Sequence, residues 1–306
     1  MKAFFSIIIP TYNDCLNLKR CLKGVLRQNY KLFEIVVVND CSTDDTKKFL
    51  DSLNIKNLNS YHLDDNKGPA YARNIGITKS RGEWICFLDS DDCWMKSKLE
   101  VINKYIQTYN NYDVFCHNQI KKENISRKKK KLYLGPFKKN FYKELILNGN
   151  CLITSATVVK REFIKKNNIF FRDKKKYFSV EDYDFWLSLA KSKAKFKFIK
   201  VFLGFYYIHE NNISKNVLKH KKNYLFLLFN HVFKLQNFEK NKLNLWRKIY
   251  CKYLIEIVVI HIFQLKKIRK GIGLFLYSLK KYKLLFLLQL VYFFRLKIIN
   301  LFKFIW

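Results

Sequence analysis

Three carboxylates fall within four positions at Phe87-Leu-Asp-Ser-Asp-Asp92. Side by side they repel one another and are costly to remove from water. A hard divalent cation bridged to a phosphate is the natural neutraliser, and Asp-x-Asp spacing lets Asp89 and Asp91 reach one ion. The same residues would also serve as a polar turn and N-cap for a helix from Lys96. A second acidic cluster lies in Val180-Glu-Asp-Tyr-Asp-Phe-Trp-Leu-Ser-Leu189. Phe185, Trp186 and Leu189 recur there at helical spacing, which puts Glu181, Asp182 and Asp184 in a first turn. Such a turn suits the helix dipole, or it offers a carboxylate base at the mouth of a crevice. Asp40 can accept from a base N–H or a sugar hydroxyl, or cap the helix after it. Tyr12 can stack on a base or simply pack. Lys67 and Arg73 are cations within reach of a phosphate.

The elements that must position these groups alternate. Residues 4–9, 34–38 and 84–88 are short apolar runs with the look of covered strands, and 60–63 is a weaker one. Leu18, Cys21, Leu22, Val25 and Leu26 mark a first helix, with Asn13 or Asp14 to cap it. Ser42-Thr43-Asp44-Asp45 has capping-box spacing for a second. Gly68-Pro69 opens a third, and Leu99, Ile102, Ile106 and Tyr109 mark a fourth. Strand–helix alternation of this kind predicts an α/β fold with a mostly parallel sheet. Ligands then lie beyond the carboxyl ends of the strands, where Thr11, Asp40 and residues 89–92 converge. Neither G-x-G-x-x-G nor a P-loop motif follows the first strand, so the crevice offers acceptors and no glycine cradle.

The 306 residues carry a formal net charge of +35, and after Asp184 only Glu210, Glu239 and Glu256 are acidic. Such a half should face something anionic, lipid or nucleic acid, although compositional drift toward Lys accounts for some of the excess. The eight cysteines show no C-x-x-C or ligand spacing, and Cys15, Cys21, Cys86, Cys116 and Cys151 sit among apolar residues. They read as buried thiols in a reducing compartment. No signal peptide opens the chain. Residues 121–131 read as a basic solvated loop, and 151–160 as strand-like. From about residue 215 apolar blocks alternate with basic clusters, which predicts two or three helices. On one helical wheel Lys281, Arg295 and Lys303 fall together, while Lys283 and Lys297 lie opposite. Such a helix suits a bundle or a bilayer interface, with interfacial contact favoured over a span.

Four segments in order, Ser6-Ile-Ile-Ile-Pro-Thr-Tyr-Asn13, Glu34-Ile-Val-Val-Val-Asn-Asp-Cys-Ser-Thr-Asp-Asp-Thr46, Gly68-Pro-Ala-Tyr-Ala-Arg-Asn-Ile-Gly76 and Phe87-Leu-Asp-Ser-Asp-Asp92, resemble the successive motifs of family 2 glycosyltransferases of the GT-A fold. The resemblance covers some ninety residues. It implies an inverting, metal-dependent transferase (Mn²⁺ or Mg²⁺) using a nucleoside-diphosphate sugar, usually UDP-linked. It implies that Thr11 and Tyr12 flank the nucleotide, that Asp40 bonds the base and that Arg73 lines the site. Asp89, Ser90 and Asp91 would form the Asp-x-Asp motif, with Asp91 ahead of Asp89 as the direct metal ligand. The 180–189 segment is similar to the family's Glu-Asp motif, which would make Asp182 the base. Tyr206-Tyr-Ile-His-Glu-Asn-Asn-Ile-Ser214 resembles a segment that closes over the diphosphate, where His209 would ligate metal or touch phosphate.

The expectation is therefore a GT-A catalytic domain over residues 1–215 and a helical, basic region over 216–306. The acceptor would be a cell-surface glycan or a lipid-linked one, as in polysaccharide, lipopolysaccharide or capsule assembly. The place would be the inner face of the cytoplasmic membrane, in peripheral contact with anionic lipid and without nucleic acid. A nucleotidyltransferase also sets paired aspartates over a metal but has no evident need for Glu181-Asp182. A basic nucleic-acid-binding protein fits the charge, yet an acidic crevice repels phosphate, and no zinc-finger or basic-zipper spacing is present.

Overall fold

The computed structural model describes residues 2–123, 129–135, 140–208 and 216–302. The chain divides into two compact units, Met1–Asn212 and Ile213–Trp306. The first opens with β1 (Phe5–Thr11), α1 (Cys15–Leu26), β2 (Phe33–Asn39), α2 (Thr46–Asp51), β3 (Leu58–His62), α3 (Pro69–Lys79) and β4 (Trp84–Phe87). Every residue of β1, β2 and β4 is buried, as strands covered on both faces require. These three and β3 pair in parallel in the order β3–β2–β1–β4. Their carboxyl ends consequently bring Thr11, Asp40 and Asp89 to one edge of the sheet.

The rest of the unit comprises β5 (Cys93–Trp94), α4 (Lys98–Thr108), β6 (Val114–Glu123), β7 (Lys129–Leu132), α5 (Phe141–Asn148), β8 (Thr157–Lys160), α6 (Arg161–Lys166), α7 (Glu181–Lys191) and β9 (Phe196–Ile208). It extends the sheet to β3–β2–β1–β4–β8–β6–β9–β5, with β7 on the side of β6. β8 runs antiparallel to both β4 and β6, and β9 runs parallel to β6. The sheet is thus parallel where strands and helices alternate and mixed beyond β4. The core lies between the sheet and its helices, from Phe5, Ile7 and Ile9 to Leu99 and Ile102.

Three local expectations are corrected. The described ends of the 121–131 run are strand and not loop: Lys121 and Lys122 belong to β6 and pair with Lys130 and Lys129 of β7, while residues 124–128 lie outside the described residues. The Lys122 ammonium lies 3.8 Å from the centre of the Phe205 ring, so its stem packs while its charge meets a π face. The Ser42 capping box is not used, because Ser42 and Thr43 are bound to Asn13 instead. Asp44, just before the capping position Asp45, accepts from the Thr46 N–H at 3.0 Å and so ties down the start of α2. Asp92 caps no helix either, since α4 begins at Lys98.

The second unit holds α8 (Val217–Asn230), α9 (Lys242–Val259) and α10 (Ile268–Phe302). Cys251, Leu254 and Ile255 of α9 pack on Phe286 of α10, and Lys221 of α8 meets Glu256 of α9 at 2.7 Å. Lys283 breaks α10 with φ 43° and ψ −124°. A single wheel therefore does not hold across it; the Arg295 and Lys297 side chains and Lys303 lie outside what is described. No described helix is long and apolar enough to cross a membrane.

Candidate active site

β4 ends at Phe87, and the chain leaves the core through Leu88 into Asp89. Phe87 anchors the floor of the site. Its ring meets Phe171, Phe185 and Trp186 edge-on at centroid distances of 5.3, 5.7 and 6.1 Å, and Phe171 stacks on Phe185 at 4.0 Å. Aromatic packing of this kind is strongly stabilising and geometrically specific. Here it fixes the first turn of α7, which carries Glu181, Asp182 and Asp184, against the end of β4. Asn74 of α3 adds a polar tie, with both groups of its amide bonded to the Phe171 backbone.

Arg73, from the same helix, sits between the two acidic clusters. One terminal nitrogen donates to Asp89 Oδ1 at 2.8 Å and the other to Glu181 Oε1 at 3.1 Å. Its side chain is only 7% exposed. Burial works against its charge, but Asp89 and Glu181 outweigh that and hold the guanidinium above its usual range. Asp182 is half-buried and accepts from Asn150 Nδ2 at 3.2 Å and from the Tyr183 N–H at 2.6 Å. Burial first, then neighbouring Glu181, push its carboxyl up to about 7. Burial also raises Asp89, with Arg73 opposing and Asp91 adding to the rise. Tyr206 of β9 belongs to the same field: burial, then Asp92, Asp91, Asp89 and Asp182, raise its phenol. The arrangement is an acidic cluster with the buried Arg73 guanidinium set between its two halves.

The remaining sequence candidates fall around it. Thr11 is buried at the end of β1, and its carbonyl accepts from the Asp40 N–H at 2.9 Å. Tyr12 is 48% exposed. Asp40 does not cap the helix after it. Its two oxygens accept from the Lys67 and Gly68 N–H groups, each at 2.8 Å. Gly68 has φ 87°, a conformation that glycine adopts without strain, so Asp40 orders the entrance of α3 and thereby Arg73. Ser90 donates to Asp14 Oδ2 at 2.8 Å. Asp91 follows it, and its carbonyl accepts from Arg20. His209 lies outside the described residues.

Among the described residues no group of three His, Cys, Asp or Glu side chains stands assembled to hold a metal. The donor set nonetheless fits Mg²⁺ or Mn²⁺. Both accept one or two carboxylates and complete their shell with water and phosphate oxygens, and Asp89 and Asp91 are adjacent hard donors. Sequence reasoning missed Ser155, whose Oγ accepts from the Asp89 N–H at 3.1 Å and whose carbonyl accepts from Trp94 Nε1 and Lys98 Nζ. It also missed Asn150 and Arg20. Lys98 is fully buried, and burial pulls its ammonium down to about 7. The one available signal was a polar Thr154-Ser155 pair interrupting the apolar pattern of 151–160.

Residues 6–167 match the model of the family described as Glycosyl transferase family 2. The chain belongs to that family. An uncharacterized glycosyltransferase, RC0461, of Rickettsia conorii is 34% identical over 190 residues; the match takes in 62% of this chain and 30% of the relative, so the chain spans less than a third of that relative's length. The UDP-Glc:alpha-D-GlcNAc-diphosphoundecaprenol beta-1,3-glucosyltransferase WfaP of Escherichia coli is 30% identical over 218 residues, with 70% of this chain and 81% of the relative covered. Among solved structures, S. aureus TarS 1-349 in complex with UDP-GlcNAc superposes with a TM-score of 0.62 at 22% identity, covering 85% of this chain and 73% of that one. That likeness establishes the α/β GT-A fold. Family 2 membership decides against the nucleotidyltransferase alternative.

Proposed function

We propose that the chain is an inverting, metal-dependent glycosyltransferase that moves a sugar from a UDP-linked donor to a hydroxyl of a lipid-linked or cell-surface glycan. The observation that carries this reading is Arg73, buried between Asp89 and Glu181. It joins the end of β4, the donor side, to the start of α7, the acceptor side. Asp182 is the base: its raised carboxyl, half-buried beside Glu181, matches a proton acceptor working near neutral pH. As the acceptor oxygen attacks the anomeric carbon, its proton passes to Asp182, and the bond from that carbon to the diphosphate breaks with its electron pair leaving on the diphosphate. Asp91, with Asp89 beside it, would hold Mn²⁺ or Mg²⁺, whose charge offsets that of the departing diphosphate. Thr11, exposed Tyr12 and Ser90 line the donor side. His209 remains a ligand inferred from sequence. Asp40 keeps a lone pair on each oxygen for the base while it orders the loop before Arg73.

The UDP donor and the lipid-diphosphate acceptor are supported by the names of relatives such as WfaP. The second unit supports a membrane-adjacent acceptor. Leu284, Leu287, Leu288 and Val291 recur at helical spacing along α10 and are all exposed, and Lys280, Lys281 and Lys283 precede them. An exposed apolar face edged with lysine suits an anionic bilayer surface better than nucleic acid. This supports peripheral contact with such a membrane, with the cytoplasmic inner face as the proposed site. Purified protein incubated with a panel of nucleotide sugars, with and without Mn²⁺, tests the reading through released nucleoside diphosphate. Chelator-sensitive turnover of one UDP-sugar is expected. Donor binding absent across the panel would refute it.

A further inference from the structure

Next to the Asp-x-Asp turn, β5 pairs antiparallel with β9, Cys93 opposite Phe205 and Trp94 opposite Gly204. The ladder would stop there, but side chains continue it. Asp92, fully buried, accepts from the Tyr207 N–H through Oδ1 at 3.0 Å. The Tyr207 ring is covered by the Arg20 guanidinium, centred 3.9 Å from it. The same guanidinium donates to the Asp91 carbonyl. On the β6 side, Lys122 Nζ reaches the Tyr207 hydroxyl at 3.5 Å. Arg20 comes from α1, the aspartates from the turn after β4, and Tyr207 from β9. Three distant segments are therefore tied at one tyrosine, within one residue of the proposed metal carboxylate.

We propose that Arg20 and Asp92 are positioning residues: together with Tyr207 they lock the aspartate turn to the end of β9 and so fix the orientation of Asp91. The inference rests on the reading of Asp91 as the carboxylate that binds the donor's metal. Its physical basis is geometric. Asp91 and Asp92 are consecutive, so anchoring the Asp92 carboxylate to a backbone amide and the Asp91 carbonyl to a guanidinium fixes the stretch of backbone from which the Asp91 side chain projects. A buried carboxylate on a backbone N–H and a stacked guanidinium each resist rotation more than a solvated side chain does. Groups that orient a metal ligand affect affinity although they never touch the metal.

The test uses the full chain with Asp92→Ala, Asp92→Asn and Arg20→Gln, and Lys19→Ala as a control on an outward position of α1. Two readouts are taken: amide hydrogen exchange of residues 203–208, and the Mn²⁺ concentration that half-saturates UDP binding in calorimetry. Asp92→Ala and Arg20→Gln should speed exchange at the end of β9 and raise the Mn²⁺ requirement by about tenfold. Asp92→Asn, which keeps a side-chain oxygen to accept from Tyr207, should restore most of both. The control should move neither. Unchanged exchange in both disruptive variants would overturn the clamp. Faster exchange with an unchanged Mn²⁺ requirement would reduce the contacts to local packing and overturn the positioning role. A wild type that binds no UDP with Mn²⁺ would instead sink the functional reading, and the exchange data would still decide whether the clamp exists.

Discussion

The crevice of the first unit and the outer helix of the second handle charge in opposite ways. In the crevice, Arg73, Asp89, Glu181 and Asp92 are taken largely out of water and held by named partners at 2.8 to 3.1 Å. Along α10 Lys280, Lys281 and Lys283 stay in solvent, and Leu284, Leu287 and Leu288 are exposed as well. Desolvated charge demands a fixed geometry and moves proton affinities, which is the condition for chemistry. Exposed charge is screened and tolerant of change, which is the condition for a docking surface. The contrast teaches that +35 of net charge says little about the proposed reaction, which is assigned to a few acidic residues in a basic chain.

Four substitutions or conditions probe this contrast. The largest effect is expected at Asp182: Asp182→Asn should leave UDP-sugar affinity unchanged and lower transfer by about 10²–10⁴-fold, read as product formed per enzyme. Next is Arg73→Gln, which leaves Asp89 and Glu181 without their cation and should destabilise the first unit by about 3–5 kcal/mol, measured by urea unfolding. The same exchange at exposed Lys281 should leave unfolding unchanged. A pH series comes third. Below about 7 Asp182 is increasingly protonated and cannot accept a proton, so kcat/KM should fall roughly tenfold per unit toward acid. A profile flat from pH 5 to 8 would remove Asp182 from the role. The smallest effect is expected on α10: Leu284→Asn with Leu288→Asn should cut flotation with anionic vesicles by about tenfold while leaving stability unchanged. Equal flotation with neutral vesicles would argue against a charge-assisted surface.

The parallel half of the sheet was legible because its strands are short apolar runs that end in polar residues, a pattern visible without partners. Asp89 and Asp91 could be singled out for the same reason, since carboxylates next to a buried run stand out; Glu181, Asp182 and Asp184 stood out only as a group, and the family resemblance chose Asp182 among them. The mixed half was only partly legible: β8, Thr157–Lys160, lies in the run 151–160 that reads as strand-like, but the rest of the half did not announce itself. β7 is four residues, Lys-Lys-Lys-Leu, and its strand character comes only from pairing with β6. Asp40 shows a second limit. Its partners are the backbone N–H groups of Lys67 and Gly68, and an amide has no residue type for a sequence to display. Ser155, Arg20 and Asn150 were missed on similar grounds, since their significance comes from contacts 32 to 71 residues away. The break at Lys283 has no proline or glycine beside it to announce it.

The most direct test of the central claim compares wild type with Asp182→Asn on UDP-sugar and a diphosphate-linked lipid acceptor, following UDP release and product together, with and without EDTA. The account predicts that wild type forms product with inverted anomeric configuration only when Mn²⁺ or Mg²⁺ is present. It predicts that Asp182→Asn still binds the donor and forms almost none. Turnover by Asp182→Asn at the wild-type rate, or product formed with retained configuration, would contradict it.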